Sequence, residues 1–208
     1  SNPNCSTIQM LVALYPIYKL SKINEIIVST YQSVSGAGQK AIDELKNQTL
    51  NILNKEKIDI ENFPKQIAFN VLPQIDLFLN NKYTKEEMKM VNETKKILDD
   101  NISVNATCVR VGTQVGHAES IYIKLENNLS LENIEESLLE SEGIKFSKNE
   151  YYTPLESAGK NWVYVSRLRR DLFKENAFNL WVVSDNLLKG AALNSIQIAE
   201  LLIKQNIV

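Results

Sequence analysis

One cysteine stands where a nucleophile would be placed. Cys5 lies in "SNPNCSTIQM", in a Pro-Asn turn directly ahead of a long apolar stretch. Unpaired backbone N–H groups and the dipole at a helix start favour the thiolate, so the local field there is expected to lower the thiol pKa. The other cysteine, Cys108 in "ATCVRV", reads as a small buried residue of a strand. A cysteine nucleophile needs a proton shuttle near neutral pH, and His117 is the only imidazole in the chain. Arg110, seven residues earlier, carries the planar fork that grips a carboxylate through two bonds, although a strand-end surface charge would look the same. Glu86 and Lys89 share a helix face at a spacing of three, a pattern equally suited to a solvated ion pair. "SGAG", Ser35 to Gly38, can bring backbone close to a phosphate or simply turn the chain.

The whole-chain chemistry narrows the partners. With 23 basic and 25 acidic residues interleaved along 208, neither a nucleic-acid groove nor a membrane-seeking face is expected, and a small molecule or a protein is the better fit. One histidine and two cysteines without a CxxC make a protein-ligated transition metal unexpected. Two cysteines over a hundred residues apart, with no signal peptide ahead of Cys5, point to a reducing, cytoplasmic setting.

The elements that must hold these groups follow from periodicity. "STIQMLVALYPIYKL" reads as a buried helix that Pro16 is expected to kink or end. Ile23–Gln32 reads as a strand running into the glycine turn, followed by a helix from about Gly38 to Lys57. Ile58 to Asn80 has two prolines and no clean period, and reads as loop with short strand pieces. "TKEEMKMVNETKKILDD" has Thr84 as a cap, acids first and lysines later. "SVNATCVRVG" and "HAESIYIKLE" read as strands, Ser130 caps a short helix through Glu140, and "NWVYVSRLRR" and "AFNLWVVSDN" alternate like strands. "ALNSIQIAELLIKQNIV" closes as an amphipathic helix. Strands in groups with helices between them predict an α+β domain: a mixed, largely antiparallel sheet with helices on one face.

Five stretches in order, "NPNCSTIQM", "STYQSVSGAG", "TKEEMKMVNETKKIL", "CVRVG....HAES" and "VVSDNLLKGAALN", resemble the catalytic half of the aspartate-semialdehyde dehydrogenase family. The resemblance runs from Asn2 to about Leu202 and implies the C-terminal catalytic fold of glyceraldehyde-3-phosphate dehydrogenase-like enzymes. It implies reductive dephosphorylation of β-aspartyl phosphate with NADPH, through a thioacyl intermediate, in lysine, threonine and methionine biosynthesis. By that resemblance Cys5 is the nucleophile, His117 its acid/base group, and Gln32 orients the intermediate. Arg110 grips the substrate α-carboxylate, Glu86 meets its ammonium, and Lys89 and Asn4 serve the phosphate. Ser35, Gly36, Gly38 and Asn186 lie toward the nicotinamide end of NADP. The family's dinucleotide-binding half precedes the cysteine and is not in this sequence, so the NADP site is expected to be incomplete and the chain alone inactive. Residues 1–191 are then the catalytic and dimerisation domain, and 192–208 a helix whose stripe of Leu193, Ile196, Ala199, Leu202 and Ile203 would pack on the other half. A homodimer joined through the sheet is expected, with that stripe covered by refolding onto the body or by a second chain. Two alternatives stand beside this reading: an N-acetyl-glutamyl-phosphate reductase-like enzyme, against which "NPNCST" argues, and a non-catalytic dimerisation fragment.

Overall fold

The computed structural model describes residues 2–207; Ser1 and Val208, the outer ends of the two expected spans, lie outside the described residues. Helix α1 (Cys5–Leu20) opens the chain, capped by Asn4, whose side-chain oxygen accepts from the Ser6 and Thr7 N–H groups. It is buried almost all round, with Met10, Leu14 and Ile17 fully enclosed. The helix neither ends nor breaks at Pro16, which lies inside it. A proline inside a helix costs about 3 kcal/mol. Three fully buried side chains return roughly 1.5–3 kcal/mol each, so packing outweighs the proline.

Strand β1 (Ile23–Gln32) follows, then a single 3-10 turn (Val34–Ala37) and helix α2 (Gln39–Asn54). The excursion from 58 to 80 forms only the two-residue strand β2 (Val71–Leu72). Its Phe63, Ile67, Ala68 and Leu72 pack with Val34, Ala41 and Leu45 into a small second core. Next come α3 (Lys85–Ile97), β3 (Ser103–Val111), β4 (His117–Leu125) and α4 (Leu131–Leu139). The chain closes through β5 (Ile144–Ser147), the one-turn α5 (Pro154–Ser157), β6 (Val163–Arg170), β7 (Ala177–Ser184), a π-type turn (Leu188–Ala192) and α6 (Leu193–Lys204).

The seven strands form one sheet in the order β2-β3-β1-β4-β7-β6-β5. β1 and β3 are parallel, as are β5 and β6, and the other four neighbouring pairs are antiparallel. Because side chains alternate along a strand, Val28, Ala106, Ile121, Ile123, Leu180 and Val182 all point to one face, where they meet α1 in the main core. The opposite face carries Ile27 and Tyr31 half exposed. There Tyr31 packs at a tilt against Trp181 with ring centroids 5.6 Å apart, and Trp181 donates to the Tyr152 carbonyl of the segment leading into α5. The fold class matches the one read from the patterning, and the closing helix forms as expected. It does not fold back on the body, however: none of its residues is buried, and Ile196, Leu201 and Ile203 are more than half exposed.

Candidate active site

The chemistry-bearing residues gather at one end of the sheet, on the face that α1 covers. Register puts Gln32 opposite Arg110 and Thr30 opposite Cys108. Across β1's other edge Glu119 faces Thr30, and one strand further His117 faces Ser184. Alternation then aims Arg110, Gln32, Thr30, His117, Glu119 and Ser184 to the same side. Arg110 and His117 stand on strands that flank β1 rather than on adjoining ones.

Cys5 is the first residue of α1 and half-buried, while Cys108 is buried. Its seat is set by backbone contact: a Cβ built on Gly190 would fall 2.8 Å from the Cys5 Cβ and 3.3 Å from its Cα. Gly190 thus lets the π-type turn lie directly against the cysteine. Replacing Gly190 by alanine forces one of two near-backbone atoms to move, which overpacking places at roughly 1–3 kcal/mol. The melting temperature is expected to fall about 2–4 °C for each kcal/mol, as read in a thermal scan, and an unchanged midpoint refutes the contact.

Helix α3 is locked to the sheet by its own cap. Thr84 and Glu87 form a reciprocal capping box, and the second Glu87 oxygen accepts from the Cys108 N–H at 3.0 Å. That leaves Glu86, buried, pointing at the start of α1, where Oε1 accepts from Asn4 Nδ2 at 2.8 Å. Lys89 lies 3.3 Å from the other Glu86 oxygen and 3.9 Å from Asp76, with its side chain about half exposed. Asn4 spends its oxygen as the helix cap, and its N–H donates to Glu93 at 2.8 Å. Glu93, inside "TKEEMKMVNETKKIL" but given no role there, thus joins the site.

The thiol departs from the expectation for a helix start. Its pKa is pushed up to about 11, first by burial and then by the Glu86 carboxylate, which together outweigh the Ser6 N–H and the Arg110 guanidinium. A helix terminus acts like about half a charge and fades within a turn, whereas Glu86 brings a full one. Glu86→Gln is therefore expected to lower the Cys5 pKa and speed its alkylation at mildly alkaline pH, about tenfold for each unit of lowering. An unchanged rate would show that burial alone sets the thiol.

His117 is wholly buried. The Ser33 backbone N–H donates to Nδ1 at 3.1 Å, the Ser33 hydroxyl lies at the same distance, and Nε2 has no partner among the described residues. Burial and the nearby Arg110 charge lower its pKa to about 3. Arg110 donates to the Ser33 carbonyl at 2.7 Å, so Ser33 holds both the arginine and the imidazole through its backbone. Gly36 completes the group: a Cβ there would lie 3.0 Å from the arginine nitrogen and 3.4 Å from the imidazole edge. Gln32, also buried, donates to the Thr30 hydroxyl.

The remaining expected residues form the wall behind. Asn186 accepts from the Gly116 N–H at 2.9 Å and from the Ser33 and Ser35 hydroxyls, and donates back to Ser35 at 3.0 Å. Ser35 and Asn186 thereby brace the 3-10 turn against the ends of β4 and β7. Gly38 takes φ 94°, a left-handed value that favours glycine. Lys89 and Asn4 meet at Glu86, whereas Ser35, Gly38 and Asn186 gather around the turn beside His117.

Glu119, Gln9 and Ser33 are the residues that sequence reasoning passed over. The Ser184 hydroxyl donates to Gln9 Oε1 at 2.6 Å, and Gln9 stands one turn along α1 from Cys5. Glu119 is fully buried, and neither of its oxygens has a hydrogen-bond partner among the described residues. Burial holds its carboxyl far above the usual carboxylate range, only partly offset by the Gln9 amide beside it. A signal was present in "HAESIYIKL", where His117 and Glu119 fall in period two with Ile121, Ile123 and Leu125.

An open cavity of about 1260 Å³ lies elsewhere: it runs along the outer side of α1 between α3, α4 and α6 and includes Leu11, Tyr15, Ile97 and Ile198. Among the described residues no group of acids, histidines and cysteines could hold a metal ion, and no helix is long and apolar enough to cross a membrane.

Known proteins resemble this chain in sequence and fold. Aspartate-semialdehyde dehydrogenase of Bacillus subtilis is 53% identical across 100% of the chain and 64% of its own length. That of Shewanella violacea is 55% identical across 98% of the chain and 62% of its own. The crystal structure of aspartate semialdehyde dehydrogenase II of Vibrio cholerae complexed with ASA superposes with a TM-score of 0.96 at 50% identity, over 98% of this chain and 61% of that one. The chain thus spans somewhat over three-fifths of the length of the relatives it matches. With residues 14–189 matching the semialdehyde dehydrogenase dimerisation domain, and relatives named aspartate-semialdehyde dehydrogenase along its whole length, the chain belongs to the semialdehyde dehydrogenase family.

Proposed function

We propose that this chain carries the nucleophile and the amino-acid pocket of an NADP-dependent aspartate-semialdehyde dehydrogenase, a step in lysine, threonine and methionine biosynthesis. One observation carries the reading: the buried Glu86 carboxylate accepts from Asn4, the residue before Cys5, while the buried Arg110 stands on the sheet face that α1 covers, so an anion and a cation are both presented to the start of α1. An amino acid presents the complementary carboxylate and ammonium, and its side-chain carboxyl, activated as an acyl phosphate, offers the electrophilic carbon that a thiol attacks. In the reaction the Cys5 sulfur bonds to the acyl carbon, the carbon–oxygen bond to phosphate breaks, and the thiol proton leaves with the phosphate. Arg110, with one N–H given to Ser33 and four remaining, holds the α-carboxylate. Glu86 meets the ammonium, Lys89 and Asn4 the phosphate, and Gln32 and His117 the acyl group.

NADP, when bound, supplies the hydride that turns the thioester into the aldehyde. The residues present fit its reactive end, because the missing Cβ of Gly36 leaves room beside Arg110 and His117, with Ser35, Gly38 and Asn186 shaping that wall. The rest of its site, and the surface that covers α6 and the cavity beside α1, belong to the dinucleotide-binding half, so residues 192–208 dock there and 1–191 form the catalytic and dimerisation unit. The half-exposed Ile27 and Tyr31 face suits a homodimer through the sheet, and two free cysteines suit a reducing cytoplasm. The test is intact-mass spectrometry after incubation with β-aspartyl phosphate: one aspartyl adduct, mapped to Cys5 and released by hydroxylamine, is expected. Failure to acylate Cys5, with the chain folded, overturns the assignment.

A further inference from the structure

We propose that Glu93 is a positioning residue, holding the backbone of Asn4 from α3 and so fixing the start of α1, a role that rests on the reading of Cys5 as nucleophile. A capped helix start has two needs. The cap side chain accepts from N–H groups of the first turn, and in a capping box the cap's own N–H is met by an acid three residues on. Helix α3 shows both halves: the Thr84 hydroxyl accepts from Glu87, and the Thr84 N–H donates to Glu87 Oε2 at 2.7 Å. In α1 only the first half is local. Asn4 accepts from Ser6 and Thr7, but the residue three on is Thr7 itself and the first turn holds no acid. The Asn4 N–H donates instead to Glu93 Oε2 at 2.8 Å, eighty-nine residues along the chain. Glu93 thus completes the box of α1 from another helix.

Supply from a distance has a chemical reason. Thr7 is wholly buried in the same turn as Cys5, so a glutamate at its place would set a further carboxylate inside the site. Burial and then Glu86 already raise the thiol pKa there. Glu93 is only half-buried and lines the open groove beside Asn2 and Pro3, the residues that lead into α1. The acid therefore grips the backbone from outside. Glu86, Lys89 and Glu93 recur along α3 at intervals of three and four, which puts them on one stripe of the helix. Because Glu87 bonds α3 to β3, that stripe is itself fixed to the sheet.

The bond matters most when the site is filled. The Asn4 amide donates to Glu86 Oε1 at 2.8 Å, a second tie between the start of α1 and α3. In the proposed function Glu86 meets the substrate ammonium and Asn4 the phosphate, so this tie is given up as substrate enters. The bond from the Asn4 N–H to Glu93 uses no group that the substrate needs, and it persists. It then keeps Asn4 and Cys5 in register with α3. A shift of about 1 Å in a reacting group can cost about a hundredfold in rate, so a bond that steadies the nucleophile has catalytic weight.

Reach and charge must be separated in the test, because the Glu93 charge also reaches Lys89. Glu93→Asp keeps the charge and draws the oxygen one bond back from the N–H; Glu93→Gln loses the charge and keeps an oxygen within reach. Both changes fall at a half-buried helix position, and circular dichroism checks that the variants fold. Acylation of Cys5 by β-aspartyl phosphate is followed by mass spectrometry. Glu93→Asp is expected to lower the maximal rate at least about tenfold, and Glu93→Gln to restore it to within about threefold of the parent. Amide hydrogen exchange at Ser6 and Thr7 is expected to quicken about tenfold in Glu93→Asp and to stay near the parent rate in Glu93→Gln. A parent-like Glu93→Asp in either measurement, or a Glu93→Gln as impaired as Glu93→Asp, overturns the inference. If the parent itself does not acylate, the proposed function fails, and the exchange rates decide this inference alone.

Discussion

Serine in place of Cys5 is expected to leave the chain folded and to abolish acylation by β-aspartyl phosphate, a loss of at least about a thousandfold. The helix start survives because Asn4, not Cys5, accepts from the first free N–H groups. The hydroxyl fails because at neutral pH a serine supplies far less of its ionised form than a cysteine does. Sulfur is different, since a thiol parts with its proton far more readily than an alcohol, even with its pKa pushed up to about 11. Cys108 is no substitute: it is fully buried, beside Met90, and burial pushes its thiol up still further. The check is the same mass measurement on Cys5→Ser with circular dichroism alongside, and an adduct on the folded variant would move the nucleophile elsewhere.

The second large effect concerns stability and has a definite pH sign. Glu119 is held protonated in the folded chain, whereas in the unfolded chain it ionises as an ordinary carboxyl. Its folded pKa is raised, so between the unfolded value and the folded one the native state binds more protons than the unfolded state. Stability on this account is full below about pH 4.3 and declines by up to about 1.4 kcal/mol for each pH unit above it until the folded pKa is reached. Glu119→Gln keeps the shape and removes the ionisation. The variant is expected to be more stable than the parent at pH 8, with the gap shrinking to little at about pH 5. Denaturant melts at the two pH values measure it. A variant destabilised equally at both would show that the carboxyl makes a hydrogen bond that an amide cannot replace.

Much of this protein follows from order along the chain alone. Period-two alternation in "INEIIVSTYQ", "ATCVRV" and "HAESIYIKL" sets which residues share a face, because successive side chains of a strand must point to opposite sides. That rule already aligns Arg110 with Cys108 and His117 with Glu119 before any strand is paired. The Thr84 capping box and the Asn4 turn are equally local, since a free N–H at a helix start is satisfied by a side chain within three residues. That the helix runs on past Pro16 instead of ending there has the converse reason. Its penalty is local, but the burial of Met10, Leu14 and Ile17 that overrides it comes from strands far along the chain.

Only the tertiary structure decided the electrostatics. Whether a helix-start thiol is activated depends on what lies across from it, and Glu86 arrives there because its neighbour Glu87 ties α3 to β3. The state of His117 likewise hangs on one backbone N–H from Ser33, eighty-four residues away, and on an arginine from another strand. Gly190 reads as one more small residue in "LLKGAALN" until its backbone is seen against Cys5. Charge, burial and close approach act through space over a few ångströms, and chain order does not encode which distant residues come within that range.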